Sequence, residues 1–220
     1  MIAIDGPAGA GKSTAARLLA RRLGYRLLDT GSMYRAVAWS VAQAGIPPVD
    51  GPALRRHLAT VRVAADGERV SVNGRDVTDA IRTPEISALT SRLTALGPVR
   101  EKLTPLQRDL AAMGGAVLEG RDTGTVVCPD AEVKFYLDAS LDTRARRRQA
   151  ELAGRGVIQA LDEVGQELEG RDRQDTERAL APLRKAVDAI ALDTSGLTVE
   201  QVVAAMMRAV EGRRACSTRS

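Results

Sequence analysis

Aromatic side chains are almost missing from this chain: one Phe, one Trp and three Tyr make up 2% of 220 residues. A single-strand nucleic-acid binder stacks bases on aromatic rings, so that class is disfavoured. Histidine occurs once, at His57 in the polar stretch Leu54-Arg-Arg-His-Leu58, where a surface helix is expected; a mechanism built on a histidine base is disfavoured with it. The two cysteines, Cys128 and Cys216, are too few and too scattered for a metal site, and no disulfide is expected. No apolar run approaches the roughly 20 residues of a membrane span. The first strand begins at Ile2, which leaves no room for a signal peptide. A cytoplasmic protein with no membrane partner is expected.

What the chain does have is charge: 27% of residues are charged against 44% hydrophobic, the balance of a soluble globular unit. Net charge is only +4, yet Arg144, Arg146, Arg147, Arg148 and Arg155 cluster, as do Arg171, Arg173 and Arg178. Such clusters imply anionic partners, and with so few aromatics these are small phosphorylated ligands rather than nucleic acid.

The chain is organised around Gly6-Pro-Ala-Gly-Ala-Gly11-Lys12-Ser13-Thr14, a full G-x-x-x-x-G-K-S loop. Ile2 to Ile4 suits a buried parallel strand ahead of it, and Leu18, Leu19 and Leu23 repeat at helical spacing behind it. Strand, glycine turn and helix follow in the order a phosphate cradle requires. Glycines let the backbone wrap a polyanion, while successive N–H groups and the helix N-terminus point at it. Residues Gly6, Pro7, Ala8, Gly9, Ala10, Gly11, Lys12, Ser13 and Thr14 are therefore the expected ATP-binding loop. Lys12 is expected at the β- and γ-phosphates and the Ser13 hydroxyl on Mg²⁺.

Four further strands are expected: Tyr25 to Leu28, Gly114 to Glu119, Val133 to Leu137 and Ala189 to Leu192. Thr30 or Ser32 is the expected cap of a helix from Tyr34 to Ala44 that carries Arg35. From Gly45 to Gly97 the texture changes. Val61 to Val72 alternates apolar and polar around Asp66-Gly67, and Asn73-Gly74 gives a second tight turn, which together predict a small antiparallel insert. Pro84 opens a helix bearing Ser87, Ser91 and Thr94, and the next runs from Pro98 to Met113 with Arg100 and Lys102. Arg121-Asp122, between glycines at the end of a core strand, is a site candidate by position and chemistry. Ser140 caps the helix with the first arginine cluster, and Ala153-Gly-Arg-Gly156 suits a mobile lid. A helix from about Ile158 to Ala179 then sets Arg171, Asp175 and Arg178 on one face. Thr198-x-x-Gln201 caps a last helix ending near Val210, and 212–220 reads as a loose tail.

These residues resemble one family, the bacterial cytidylate kinases, a branch of the nucleoside monophosphate kinases. The resemblance rests on Ile4 to Thr14, Leu27-Leu-Asp-Thr-Gly-Ser-Met-Tyr-Arg35, Ile81-Arg-Thr83, Gly120-Arg-Asp-Thr-Gly-Thr-Val-Val127, Lys134-Phe-Tyr-Leu-Asp-Ala139, and Arg171-Asp-Arg-Gln-Asp175 with Ala181-Pro-Leu183. It implies an α/β P-loop kinase fold: a five-stranded parallel sheet flanked by helices, with a core of 1–44 and 98–211. The insert 45–97 would be the monophosphate-binding domain, and a short helical lid would cover about 144–178. The implied reaction moves the γ-phosphoryl of ATP, with Mg²⁺, to CMP or dCMP. Positions matching Arg35, Arg121 and Arg178 bind the acceptor phosphate in that family, and Lys12, Arg121 and Arg178 are the implied catalytic cations. Ser91, Arg100 and Asp122 match cytosine contacts, Arg171 and Asp175 match residues near the ribose, and Thr30 keeps a hydroxyl where many members have serine. Gln174 stands where some members have an arginine. The adenine is expected near Asp193-Thr194-Ser195, and a monomer is expected. The residue chemistry agrees: a carboxylate can accept from the cytosine 4-amino group and arginine can donate to O2 and N3. Another acceptor, such as UMP, AMP or a metabolite, and a nucleic-acid-associated ATPase remain as alternatives.

Overall fold

In the computed structural model, which describes residues 1–217, strand β1 (Ile2–Asp5) leads into helix α1 (Lys12–Leu23), followed by β2 (Arg26–Asp29) and α2 (Thr30–Gln43). The insert then holds α3 (Pro52–Thr60), β3 (Val63–Asp66), β4 (Arg69–Val72), β5 (Arg75–Asp76) and α4 (Pro84–Leu93). After α5 (Gly97–Ala112) come β6 (Ala116–Glu119), β7 (Val133–Asp138), α6 (Leu141–Ala153), α7 (Leu161–Glu177), β8 (Ile190–Asp193) and α8 (Val199–Ser217).

The main sheet is five-stranded and parallel, as expected, in the order β2-β6-β1-β7-β8, and the insert forms a separate antiparallel sheet β3-β4-β5. All four residues of β1 are buried, because helices cover both faces of its sheet and no alternation is needed. The single Phe of the chain, Phe135 on β7, sits fully buried at the centre of one face beside Ile2, Ile4 and Leu137. Truncating it to Ala would cost about 3–5 kcal/mol. On the other face, Met33, Val37 and Val41 of α2 share one apolar cluster with Val63, Val70, Val72, Ile81 and Leu93 of the insert. The insert is thus packed onto the core through continuous apolar contact.

Register aligns the carboxyl ends of the strands: Asp29 pairs with Glu119 across β2 and β6, and Ile4 with Glu119 across β1 and β6. Asp5, Asp29 and Glu119 therefore stand along one edge of the sheet, where ligands sit in open α/β folds.

Several expectations are corrected. Helix α2 is capped by Asp29, whose carboxylate accepts from Ser32 N at 2.8 Å, so the helix begins at Thr30 ahead of Tyr34. Helix α7 starts at Leu161; Ile158 is 98% exposed and outside it. Arg178 follows the end of α7 as its cap residue. His57 lies on α3 but is half-buried, its Nε2 3.1 Å from Ser40 Oγ. Helix α8 does not stop near Val210: it continues to Ser217, and Arg214 stacks over Tyr25 and bonds its hydroxyl. The rest of the expected tail, 218–220, lies outside the described residues. Ser140 and Thr198 cap α6 and α8 as expected.

Candidate functional site

The phosphate loop takes its shape from the elements beside it. Gly6 has φ +146°, and a Cβ there would lie 1.9 Å from Leu137 O of β7, a backbone atom that cannot yield. Gly9, at φ +76°, lies against α6, where a Cβ would stand 3.0 Å from Arg144 Cβ and 3.1 Å from Arg144 O. Lys12 opens α1 and is buried, its Nζ donating to Pro7 O at 2.6 Å across the turn. Burial and the neighbouring Arg121 charge push its ammonium well below the usual lysine range. Ser13 Oγ donates to Glu119 Oε1 at 2.8 Å, and burial together with Asp29 pushes the Glu119 carboxyl up. No group of three or more His, Cys, Asp or Glu side chains able to hold a metal by itself occurs among the described residues. Ser13 and Glu119 nonetheless fit Mg²⁺, a hard cation that takes one or two protein oxygens and completes its shell with water and substrate phosphate.

Facing the loop is a chain of alternating charges. Arg121 Nε donates to Asp175 at 2.9 Å, Asp175 lies 3.6 Å from Arg178 Nη1, and Arg178 Nη2 donates to Asp122 at 3.3 Å. Asp122 in turn pairs with Arg100, whose guanidinium lies over the Tyr34 ring, 5.6 Å from its centroid. Burial pushes the Asp175 carboxyl up, but Arg121, Arg171 and Arg178 outweigh it and hold it below the usual range. Arg171 is pushed down to about 10 by burial and by Arg121, and its Nε finds no hydrogen-bond partner among the described residues. Arg171 is half-buried, and its vacant buried donor is a place for a hydrogen-bond acceptor. Arg35 is held by Asp29 at 3.1 Å, and Thr30 Oγ1 donates to Glu119 O at 2.8 Å.

Loop and charge chain line one cleft of about 720 Å³, a volume in the range of ligand sites. Its lining includes Ala8, Gly9, Ala10, Gly11, Lys12, Ser13 and Thr14 of the loop. Opposite them are Thr30, Arg35, Ser91, Arg121, Asp122, Arg171, Asp175 and Arg178. Gly6 and Pro7 are not among its lining residues, and neither is Arg100, which pairs with the lining residue Asp122. Of the first arginine cluster, Arg147, Arg148 and Arg155 line the cleft. Arg144 is buried behind the phosphate loop on Ala8 O, Ala139 O and Asp172, while Arg146 pairs with Asp142 in solvent. Of the expected adenine loop, Thr194 lines the cleft and bonds Arg147; Asp193 and Ser195 bond each other outside it. Glu119 was missed as a site residue by sequence reasoning; an acid closing a core strand at the sheet's carboxyl edge was the available signal.

The family model described as cytidylate kinase matches residues 2–212. A cytidylate kinase of Citrifermentans bemidjiense is 51% identical over 98% of this chain and 94% of its own length. One from Geobacter sulfurreducens is 50% identical over 97% of this chain and 93% of its own. The solved structure of shikimate kinase from Acinetobacter baumannii in complex with shikimate superposes with a TM-score of 0.50 at 16% identity, covering 96% of this chain and 92% of that one, a likeness of fold alone. With a glycine loop, an opposing arginine-carboxylate wall and half of its residues shared along nearly the whole length, the chain belongs to the cytidylate kinase family.

Proposed function

We propose that the protein transfers the γ-phosphoryl group of ATP to CMP or dCMP, releasing ADP and CDP or dCDP. The observation that carries this reading is the buried run Arg121, Asp175, Arg178, Asp122 and Arg100 facing the phosphate loop across one cleft. ATP lies with its phosphates on residues Gly6 to Thr14. The acceptor phosphate meets Arg35, Arg121 and Arg178, its base meets Ser91, Arg100 and Asp122, and its sugar lies by Arg171 and Asp175. The attacking atom is an ionised phosphate oxygen of the acceptor and needs no base, in accord with a chain whose one histidine stands outside the cleft lining. Lys12, Arg121 and Arg178 neutralise charge that spreads over the transferred group. Ser13 and Glu119 would hold Mg²⁺, which supplies further neutralisation of the donor phosphates when bound. The insert 45–97 receives the acceptor, and 144–178 forms a lid in which Arg148 and Arg155, now paired with Glu151, turn to phosphate. One chain supplies every group named, which favours a monomer; no described helix is long and apolar enough to cross a membrane. A cytoplasmic location is part of this reading, since ATP and CMP are metabolites of that compartment.

The test is product identification with ATP, Mg²⁺ and a panel of CMP, dCMP, UMP and AMP. CDP and dCDP should dominate; UMP or AMP turned over as fast as CMP would overturn the acceptor assignment.

A further inference from the structure

Arg121 and Asp122 sit between two anchor points on the same strand. Before them, Gly120 N donates to Ile4 O at 2.9 Å. After them, the carboxylate of Asp5 takes three bonds: Thr123 N and Thr123 Oγ1 on Oδ1, both at 2.8 Å, and Gly124 N on Oδ2 at 2.7 Å. These amides open a π-helical turn, Thr123–Val127, in which Val126 N and Val127 N both return to Asp122 O. The first N–H groups of a helical turn have no partner within it, and Asp5 supplies one from the neighbouring strand.

Asp5 is 4% exposed and does not line the cleft. It holds no salt bridge among the described residues, and its bonds come from N–H and O–H donors. Burial pushes its carboxyl up while those donors oppose the shift. A neutral amide would be the less costly buried group, but it could not accept at both oxygens. The space is fitted as well: a Cβ on Gly124 would stand 3.4 Å from Asp5 Oδ2 and 3.2 Å from Lys134 Cδ. Lys134 is itself fixed by Pro129 O and Asp188.

Asp5 immediately precedes Gly6, the first residue of the phosphate loop. We propose that Asp5 is a positioning residue that sets Arg121 and Asp122 at a fixed place relative to the phosphate loop, so that one side chain registers the acceptor wall against the donor cradle. The assignment of Arg121 and Asp122 to the acceptor rests on the function proposed above.

In Asp5→Asn, Oδ1 can still accept from Thr123, but Nδ2 meets the Gly124 N–H, donor against donor. The expected result is a KM for CMP raised about tenfold or more with a lowered kcat, since displacements near 1 Å can cost about a hundredfold. The dissociation constant for ATP, read by calorimetry, should stay within about threefold. Thr123→Val removes one donor of three and should move the CMP KM in the same direction by about three- to tenfold. Amide exchange at Thr123 and Gly124 should quicken in both variants, whichever acceptor the enzyme uses. Wild-type CMP kinetics together with wild-type exchange in Asp5→Asn would overturn the proposal, as would equal losses for ATP and CMP. If Asp5→Asn does not fold, Thr123→Val decides alone by the same criteria. Wild-type protein that makes no CDP would sink the proposed function and leave the exchange result to judge Asp5.

Discussion

Replacing Asp122 by Asn tests the charge chain at its most enclosed point. The side chains of Asp122, Arg100 and Arg178 are 7%, 8% and 5% exposed, so the substitution leaves two guanidinium groups buried beside an amide. Removing one partner of a buried pair costs about 3–5 kcal/mol. Arg178 keeps Asp175 and Ala181 O, Arg100 keeps Thr94 O and the Tyr34 face, and the Asn oxygen still accepts once. The lower end of that range, about 3 kcal/mol, is therefore expected, which for a chain of this size is about 6–12 °C in Tm. Sulfate should recover more of the Tm in the variant than it adds to wild type, because it offers an anion to the orphaned arginines. Catalytically, kcat/KM for CMP should fall by about 5- to 150-fold, the worth of about 1–3 kcal/mol for a good base-edge contact. Thermal scans with and without sulfate, paired with CMP and UMP kinetics, check both parts. A Tm within about 2 °C of wild type would refute the buried-pair reasoning, and equal losses for CMP and UMP would refute the base-reading role.

Lys12→Ala should keep the fold and lower kcat by about 100-fold or more, the effect of losing one transition-state charge contact; near-normal turnover would remove Lys12 from that role. Gly6→Ala should cost at least about 3 kcal/mol in denaturant unfolding or abolish ATP binding, since the new Cβ meets the β7 backbone. Lys12 has a folded-state pKa depressed below its ordinary 10.5, so in the free enzyme the ammonium loses its proton as pH rises through the depressed value. A polyphosphate beside it restores the charge, so between that value and 10.5 binding of Mg²⁺-free ATP should take up a proton, absent in Lys12→Ala and measurable by calorimetry in buffers of different ionisation enthalpy. Hydrogen exchange across 144–178 should slow more with a bisubstrate analogue than with ATP or CMP alone; full protection in the free protein would mean a rigid ion-pair surface.

The parts legible in the sequence were those written in local pattern. The phosphate loop has fixed spacing, Ile2 to Ile4 of β1 is a continuous apolar run, and Asn73-Gly74 with φ of 50° and 80° supplies the turn its residues demand. The helix expected around His57 is α3, but its polar stretch read as pure surface, whereas Leu54 and Leu58, one turn apart, are both buried. The contacts of Glu119 and Asp5 could not be read locally, though each is an acid closing a core strand. Their partners, Ser13 and Thr123 with Gly124, lie 106 and 118 or more residues away, and only the parallel register brings them together. The arginine clusters showed the same limit. Helical spacing groups Arg144, Arg147 and Arg148, but which of them faces phosphate depends on how α6 lies against the loop, and Arg144 is taken by the loop's outer side at Ala8 and Gly9. The small, basic and polar residues from Gly212 onward read as a tail after a helix ending near Val210, yet Gly212 lies inside the helix. The glycine's cost of about 1 kcal/mol is small enough for α8 to continue past it, with Arg214 docked on Tyr25.

The arginines assigned to phosphate are already held by carboxylates. Arg35 is on Asp29, Arg121 on Asp175, Arg178 on Asp122 and Asp175, and Arg148 and Arg155 on Glu151. Even the phosphate loop offers Ala8 N to Asp172 at 3.2 Å. The enclosed cations, Arg121 and Arg178, must be paired for the chain to fold, and Asp175 and Asp122 do that while fixing each guanidinium's position; the Glu151 pairs with Arg148 and Arg155 are at the surface. An arriving phosphate therefore exchanges partners or shares them within a site already laid out, and side-chain ordering costs are largely met at folding. Arg171 differs: its Nε lacks a partner among the described residues and its pKa is depressed, so an acceptor oxygen of the sugar placed there, with phosphate charge nearby, removes a standing penalty. Of the cations in the wall, Arg171 thus has the most to gain on binding, and α7, which carries it with Asp172 and Asp175, is the element through which ligand charge can act on both the phosphate loop and the acceptor wall.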